Sequence, residues 1–168
     1  MTPQIQGIVQ ECKNQAESCL YTSTSLFIWL RAARRANRIW NALPIILGAA
    51  ASFVAFKESY PYIAAFMALL AGVLPSIYEE LKLKEHTEDI ESQAGQYKNL
   101  QDRFRQAAEI TALDDNLDNL KAEFSSLMRQ MEDLRARPIT APEWCFVEAR
   151  KKIRAGHYDF DAASVVKS

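Results

Sequence analysis

Residues 39–78 read IWNALPIILGAAASFVAFKESYPYIAAFMALLAGVLPSIY. The first 18 of them, 39–56, hold no charge, and neither do the 20 residues 59–78. Only Lys57 and Glu58 lie between. At about 1.5 Å rise per helical residue the two runs span roughly 27 and 30 Å, matching a hydrocarbon core of about 30 Å. Polar side chains are few: Asn41 and Ser52 in the first run, Ser59 and Ser76 near the ends of the second. Trp40, Tyr60, Tyr62 and Tyr78 sit at the edges, where aromatic belts meet lipid headgroups. A helical hairpin buried in a soluble bundle would give the same apolar runs. It would need a polar jacket on every side, which the remaining segments are too few to supply. The reading is therefore two transmembrane helices, 39–56 and 59–78, joined by a tight turn. The first is not a cleavable signal, because it starts 38 residues in and lacks the proper flanking region.

Lysine and arginine placement sets the expected orientation. Arg31, Arg34, Arg35 and Arg38 precede the first span, Lys82 and Lys84 follow the second, and only Lys57 lies at the tip. Both termini are thus expected in the cytoplasm, with the protein in the inner membrane. The four arginines occupy nearly one helical face, suited to topology and anionic lipid, or less favourably to an acidic partner.

The flanks read as helices. Thr2-Pro3 suits a helix start. Ile5, Val9, Cys12, Ala16, Cys19, Ser23, Leu26, Leu30 and Ala33 then recur at spacings of four and three. After the second span, Leu83, Ile90, Tyr97, Leu100, Phe104 and Ala107 share a face. Leu113, Leu117, Leu120, Phe124, Leu127, Met131 and Leu134 follow in strict 4-3 alternation, which predicts a seam between subunits of an oligomer. The two patterns fall out of step over residues 110–115, predicting a break with Thr111 or Asp114 as cap. Pro138 and Pro142 end that helix. Residues 143–154 read as a last helix stopped by Gly156, with Arg150, Lys151, Lys152 and Arg154 as a candidate patch for an acidic ligand or partner.

The expected architecture is all-α, with four parts. They are an N-terminal cytoplasmic helix 1–38, the hairpin 39–78, a coiled-coil-like stalk 79–137, and a short helix and tail 138–168. Within the spans, Ala64, Ala68, Gly72 and Ser76 form one small-residue stripe, and Gly48 and Ser52 a shorter one. Such stripes let helix backbones approach closely in lipid, within one hairpin or between hairpins. Asn41 is a candidate pore-lining or interhelical contact, or an interfacial amide.

Whole-chain averages conceal this pattern. Across 168 residues, 49% are hydrophobic, 24% charged and the net charge is −1, with mean hydropathy −0.19. These values exclude a disordered chain and a bulk nucleic-acid binder, so no sequence-specific nucleic-acid binding is expected. Three cysteines exclude a disulfide scaffold. Cys12 and Cys19 lie two turns apart on one helix, too far for a bond, and with Cys145 read as small packing residues. Charge is uneven: residues 79–118 hold 5 basic and 11 acidic groups, residues 121–154 hold 8 and 5. No zinc spacing, phosphate loop or nucleophile elbow occurs, so neither a cofactor nor an enzymatic activity is expected.

The run RAARRANRIW (31–40) leads into NALPIILGAAASFVAF (41–56). A tight turn, YIAAFMALLAGVLPSIYEEL (62–81) and the stalk segment QYKNLQDRFRQAAEI (96–110) follow. In layout and composition, over roughly residues 10–137, this resembles the SLATT group of two-transmembrane effector domains. The resemblance implies a toxic membrane effector of prokaryotic conflict systems. Such an effector would oligomerise and breach the inner membrane in antiphage, abortive-infection defence. The chain carries no recognisable nucleotide-sensing domain, so a regulatory partner protein or a nucleotide signal would supply the trigger. Two other readings remain: a non-conducting membrane-anchored coiled-coil scaffold that recruits a cytoplasmic partner, and a soluble assembly that shields its hairpins until activation.

Overall fold

The computed structural model describes residues 3–56, 61–80, 83–111, 116–136 and 139–156. All regular structure among them is helical: α1 (Pro3–Phe56), α2 (Pro61–Glu80), α3 (Leu83–Glu109), α4 (Leu117–Arg135) and α5 (Glu143–Arg154). The fold class is all-α. The chain divides into two compact units, one of Met1–Trp29 with Ile90–Ser168, the other Leu30–Asp89. This partition differs from the four consecutive parts expected. The first part of α1 belongs with α3 and α4 because their apolar faces bury one another.

In the first unit the buried positions repeat every seven residues on three helices. They are Ile5, Cys12, Cys19 and Leu26 on α1, Ile90, Tyr97 and Phe104 on α3, and Leu120, Leu127 and Leu134 on α4. A seven-residue repeat keeps one stripe facing a neighbouring helix along its length. Contacts fix the directions. Ile5 packs on Leu120, with Ile8, Val9 and Leu117 around them, so α1 and α4 start together. Phe104 meets Phe124 edge-on at 6.3 Å between ring centroids. The Arg103 guanidinium donates to Gln130 Oε1 at 3.0 Å, and Gln93 Nε2 to the Leu134 carbonyl at 3.4 Å. These pairs run α3 antiparallel to α4. Helix α5 closes the upper part of α1, where Cys145 and Ala149 pack on Ile28, with Trp29 and Ala141 at the margin.

The predicted seam is therefore corrected. Leu120, Leu127, Met131 and Leu134 are buried within one chain, and Leu117 and Phe124 pack on the chain's own α1 and α3. An apolar stripe already covered by its own neighbours is not a free seam for a second subunit. Leu113 lies outside the described residues.

The ends of the helices follow from local chemistry. Helix α3 stops at Glu109, and the break lies where the two periodicities diverge. The cap of α4 is Asn116, whose side chain accepts from the Asn119 N–H at 3.2 Å. Thr111 does not cap. Its hydroxyl instead donates to Glu123 Oε2 at 2.8 Å, tying the end of α3 to α4. Asp114, the other expected cap, falls outside the described residues. Helix α5 begins after Pro142 and ends with Gly156 at φ 76°, whose N–H reaches the Ile153 carbonyl at 3.0 Å. Only glycine adopts that backbone at little cost. Lys151, Lys152 and Arg154 lie in the last turn, where the helix dipole favours cations.

Candidate functional site

The second unit inverts the usual placement of apolar side chains. Helices α1 and α2 are each long and apolar enough to cross a membrane. Their large side chains point outward. Ile45 is 75% exposed, Phe56 89% and Tyr62 88%, and Ile39, Ile46, Phe53, Ile63, Phe66 and Leu69 are also open. Soluble monomers rarely expose a continuous apolar patch beyond about 300–600 Å². The core helix of a soluble protein is mostly covered, whereas only 6% of the apolar stretch in each of these helices is buried.

Small residues mark where the two helices of this unit face each other. Ala51 and Ala64 are buried. Around them Gly48, Ser52, Ala55, Ala65 and Ala68 border an open groove of about 780 Å³. Of the expected stripes, Gly48, Ser52, Ala64 and Ala68 are thus brought together. Gly72 and Ser76 are not; both are exposed on α2. A methyl group added at Gly48 or Gly72 would meet no atom within 4 Å. Among the described residues, no close backbone approach requires either glycine. The Ser52 hydroxyl donates to the Gly48 carbonyl at 2.9 Å, which satisfies it inside its own helix.

The margins of the apolar segment carry the expected polar groups. Arg31, Arg34, Arg35 and Arg38 are exposed, as is Asn41. Tyr78 is half-buried, and Tyr60 lies outside the described residues. The indole N–H of Trp40 is buried and finds no acceptor among the described residues. One contact was not foreseen: Asn37 Nδ2 donates to Thr87 Oγ1 at 2.9 Å, joining α1 to α3 across 50 positions of sequence. An asparagine amid arginines carried no sign of it, because the partner is a threonine far along the chain.

In the first unit, the basic patch of α5 is partly engaged. Arg150 lies over the Phe146 ring at 5.1 Å, and Lys152 Nζ is 3.7 Å from Glu148 Oε1. Lys151 and Arg154 are exposed. On the same helix Trp144, Phe146 and Val147 are open to solvent. The three cysteines are free and buried. Burial pushes the Cys12 thiol up to about 11, with Glu123 and Glu11 adding to the effect. Burial likewise pushes Cys19 up to about 11, against a smaller opposing pull from Arg135. Cys145 is raised by burial alone. Protonated, enclosed thiols are poor nucleophiles and poor ligands. Among the described residues no three His, Cys, Asp or Glu side chains are grouped to hold a metal.

A pocket of about 330 Å³ opens between α1, α3, α4 and α5. Tyr97 and Arg135 line it. Burial raises the Tyr97 phenol above its ordinary value, and the Arg135 charge partly offsets this. Tyr97 figured in the sequence only as a member of an apolar face, and Arg135 only as one cation among many. Four separate elements build the pocket, so no local spacing announces it. No family model, curated protein or solved structure matches this chain.

Proposed function

We propose that this chain is a SLATT-type effector of the inner membrane. Its helices α1 and α2 insert as a two-span hairpin with both termini cytoplasmic. Copies then associate through the small-residue faces and permeabilise the bilayer in antiphage, abortive-infection defence. The observation that carries the reading is the exposed apolar surface of the second unit: Ile45, Phe56 and Tyr62 are each at least three-quarters open. Water does not tolerate such a surface, and lipid covers it without further folding. Gly48 and Gly72, which nothing in the chain crowds, supply faces for a second copy in lipid, where van der Waals packing drives association. Arg31, Arg34, Arg35 and Arg38 would stay on the cytoplasmic side and meet anionic headgroups. A partner protein or nucleotide signal would trigger opening.

Expression in cells loaded with a membrane-potential dye tests the proposal. Triggered cells are expected to depolarise and then admit an impermeant DNA stain. Intact potential under triggering conditions would sink the pore reading. A second reading, a non-conducting anchor that recruits a partner, draws on the scarcity of polar groups along the spans. Ser52 spends its proton on its own helix, which leaves little to hydrate a channel. An anchor of this kind would be harmless when overproduced.

A further inference from the structure

The pocket between α1, α3, α4 and α5 lies wholly within the first unit and does not depend on how the second unit meets a bilayer. Its volume, about 330 Å³, falls at the lower end of the range of small-molecule sites. Leu26, Ile139 and Phe146 give it apolar walls; Thr22, Ser25 and Thr140 add hydroxyls; among the described residues no carboxylate lines it. Arg135 stands at its edge and, among the described residues, forms no ion pair. Tyr97 is only 7% exposed, lines the pocket, and makes no hydrogen bond with any described residue. Arg135 and Tyr97 thus present their donors to the same cavity. Arg135 is exposed to solvent, and the pocket opens both donors to a bound molecule.

We propose that this pocket binds a small aromatic monocarboxylate, with the carboxylate held by the Arg135 guanidinium and the Tyr97 hydroxyl. The charges match: one cation and neutral donors suit a single negative charge. Arginine meets a carboxylate through two parallel N–H bonds, and the phenol adds a third donor. Two hydroxyls of α1 can accept. The Thr22 hydroxyl already donates to the Ser18 carbonyl at 3.0 Å, and the Ser25 hydroxyl to the Tyr21 carbonyl at 2.7 Å. Their oxygens keep lone pairs for a donor on the ligand body. A hydroxyl-bearing ring fits both requirements, and the volume holds one ring. The ligand would touch four helices at once, so binding would tie α5 to the rest of its unit.

The test titrates the full chain in detergent with 4-hydroxybenzoate by isothermal calorimetry. 4-Hydroxybenzyl alcohol serves as the uncharged counterpart. Saturable binding of the acid is expected, with the alcohol at least tenfold weaker. Arg135→Gln should weaken the acid at least tenfold. Tyr97→Phe, which keeps the ring and removes only the hydroxyl, should weaken it several-fold. Arg129→Gln, an exposed cation of α4 away from the pocket, should bind as the native chain does. Circular dichroism and melting confirm that each variant is folded. Absence of saturable binding overturns the proposal, as does equal affinity for acid and alcohol, or an affinity unchanged by Arg135→Gln in a folded protein.

Discussion

Cys12 and Cys19 occupy core positions where a leucine or isoleucine would be the ordinary choice. Each is fully enclosed and titrates near 11, against an ordinary value of 9.0. Folding therefore holds both protons more tightly than the unfolded chain does. That contribution to stability is complete below pH 9 and is lost as pH rises toward 11. Each pH unit crossed in that window removes about 1.4 kcal/mol per thiol. Urea midpoints should accordingly fall steeply across pH 9–11. The double variant Cys12→Ala, Cys19→Ala should flatten that part of the decline. An unchanged slope would remove the two thiols from the explanation. Both side chains are small and fully enclosed. A larger residue there would overpack the bundle.

Among the elements, α4 depends most on packing. Its outer face is polar, and Leu127 is buried at the middle of its inner stripe. Leu127→Ala should cost about 2–5 kcal/mol, and Asn116→Ala, which removes the cap on Asn119, about 1 kcal/mol. Equilibrium denaturation in mild detergent checks both. If Leu127 served contacts between subunits, its loss would alter assembly and spare the unfolding of the monomer; the in-chain packing predicts the reverse. The position of this helix and its buried face were legible in the sequence, because the 4-3 repeat of Leu120, Phe124, Leu127, Met131 and Leu134 marks one stripe whatever covers it. The partner was not legible. A stripe on α4 looks the same whether α1 and α3 of its own chain bury it or another copy does. The cap was misplaced for a related reason. Thr111, Asp114 and Asn116 are all good caps by residue type; Asn116 takes the role, while the Thr111 hydroxyl is drawn to Glu123. Glycine was more informative. Gly156 ends α5 as expected, because its positive φ is a local demand that few other residues meet.

At the scale of the whole molecule, the two units obey opposite rules. One encloses Ile5, Leu26, Phe104 and Leu127, and the other turns Ile45, Phe56 and Tyr62 outward. The charge-free runs announced the second unit plainly, since both length and composition are read directly from consecutive residues. The first unit was harder to foresee because it joins residues 3–29 to partners beginning at residue 90. The exposed unit predicts that the expressed chain stays with membranes through alkaline carbonate washing. Recovery in the soluble fraction as a stable particle would point to shielding by other copies. Gly72→Leu separates contacts within a chain from contacts between chains. A Cβ at Gly72 meets no atom of the described residues within 4 Å, so folding and membrane insertion should survive. Crosslinked oligomers and toxicity should both be lost. Retention of both would show that α2 does not approach a second copy at this face.

The enclosure of Cys12, Cys19 and Cys145 has a practical side. They are all the cysteines the chain has, so the native protein is almost silent toward maleimides. A single cysteine introduced at Phe56 or Tyr62 would be the one fast-reacting thiol. Its labelling rate, with and without a lipid-impermeant quencher, reports at that residue whether water or acyl chain lies against it. The native chain thus comes with its own quiet background for mapping depth residue by residue.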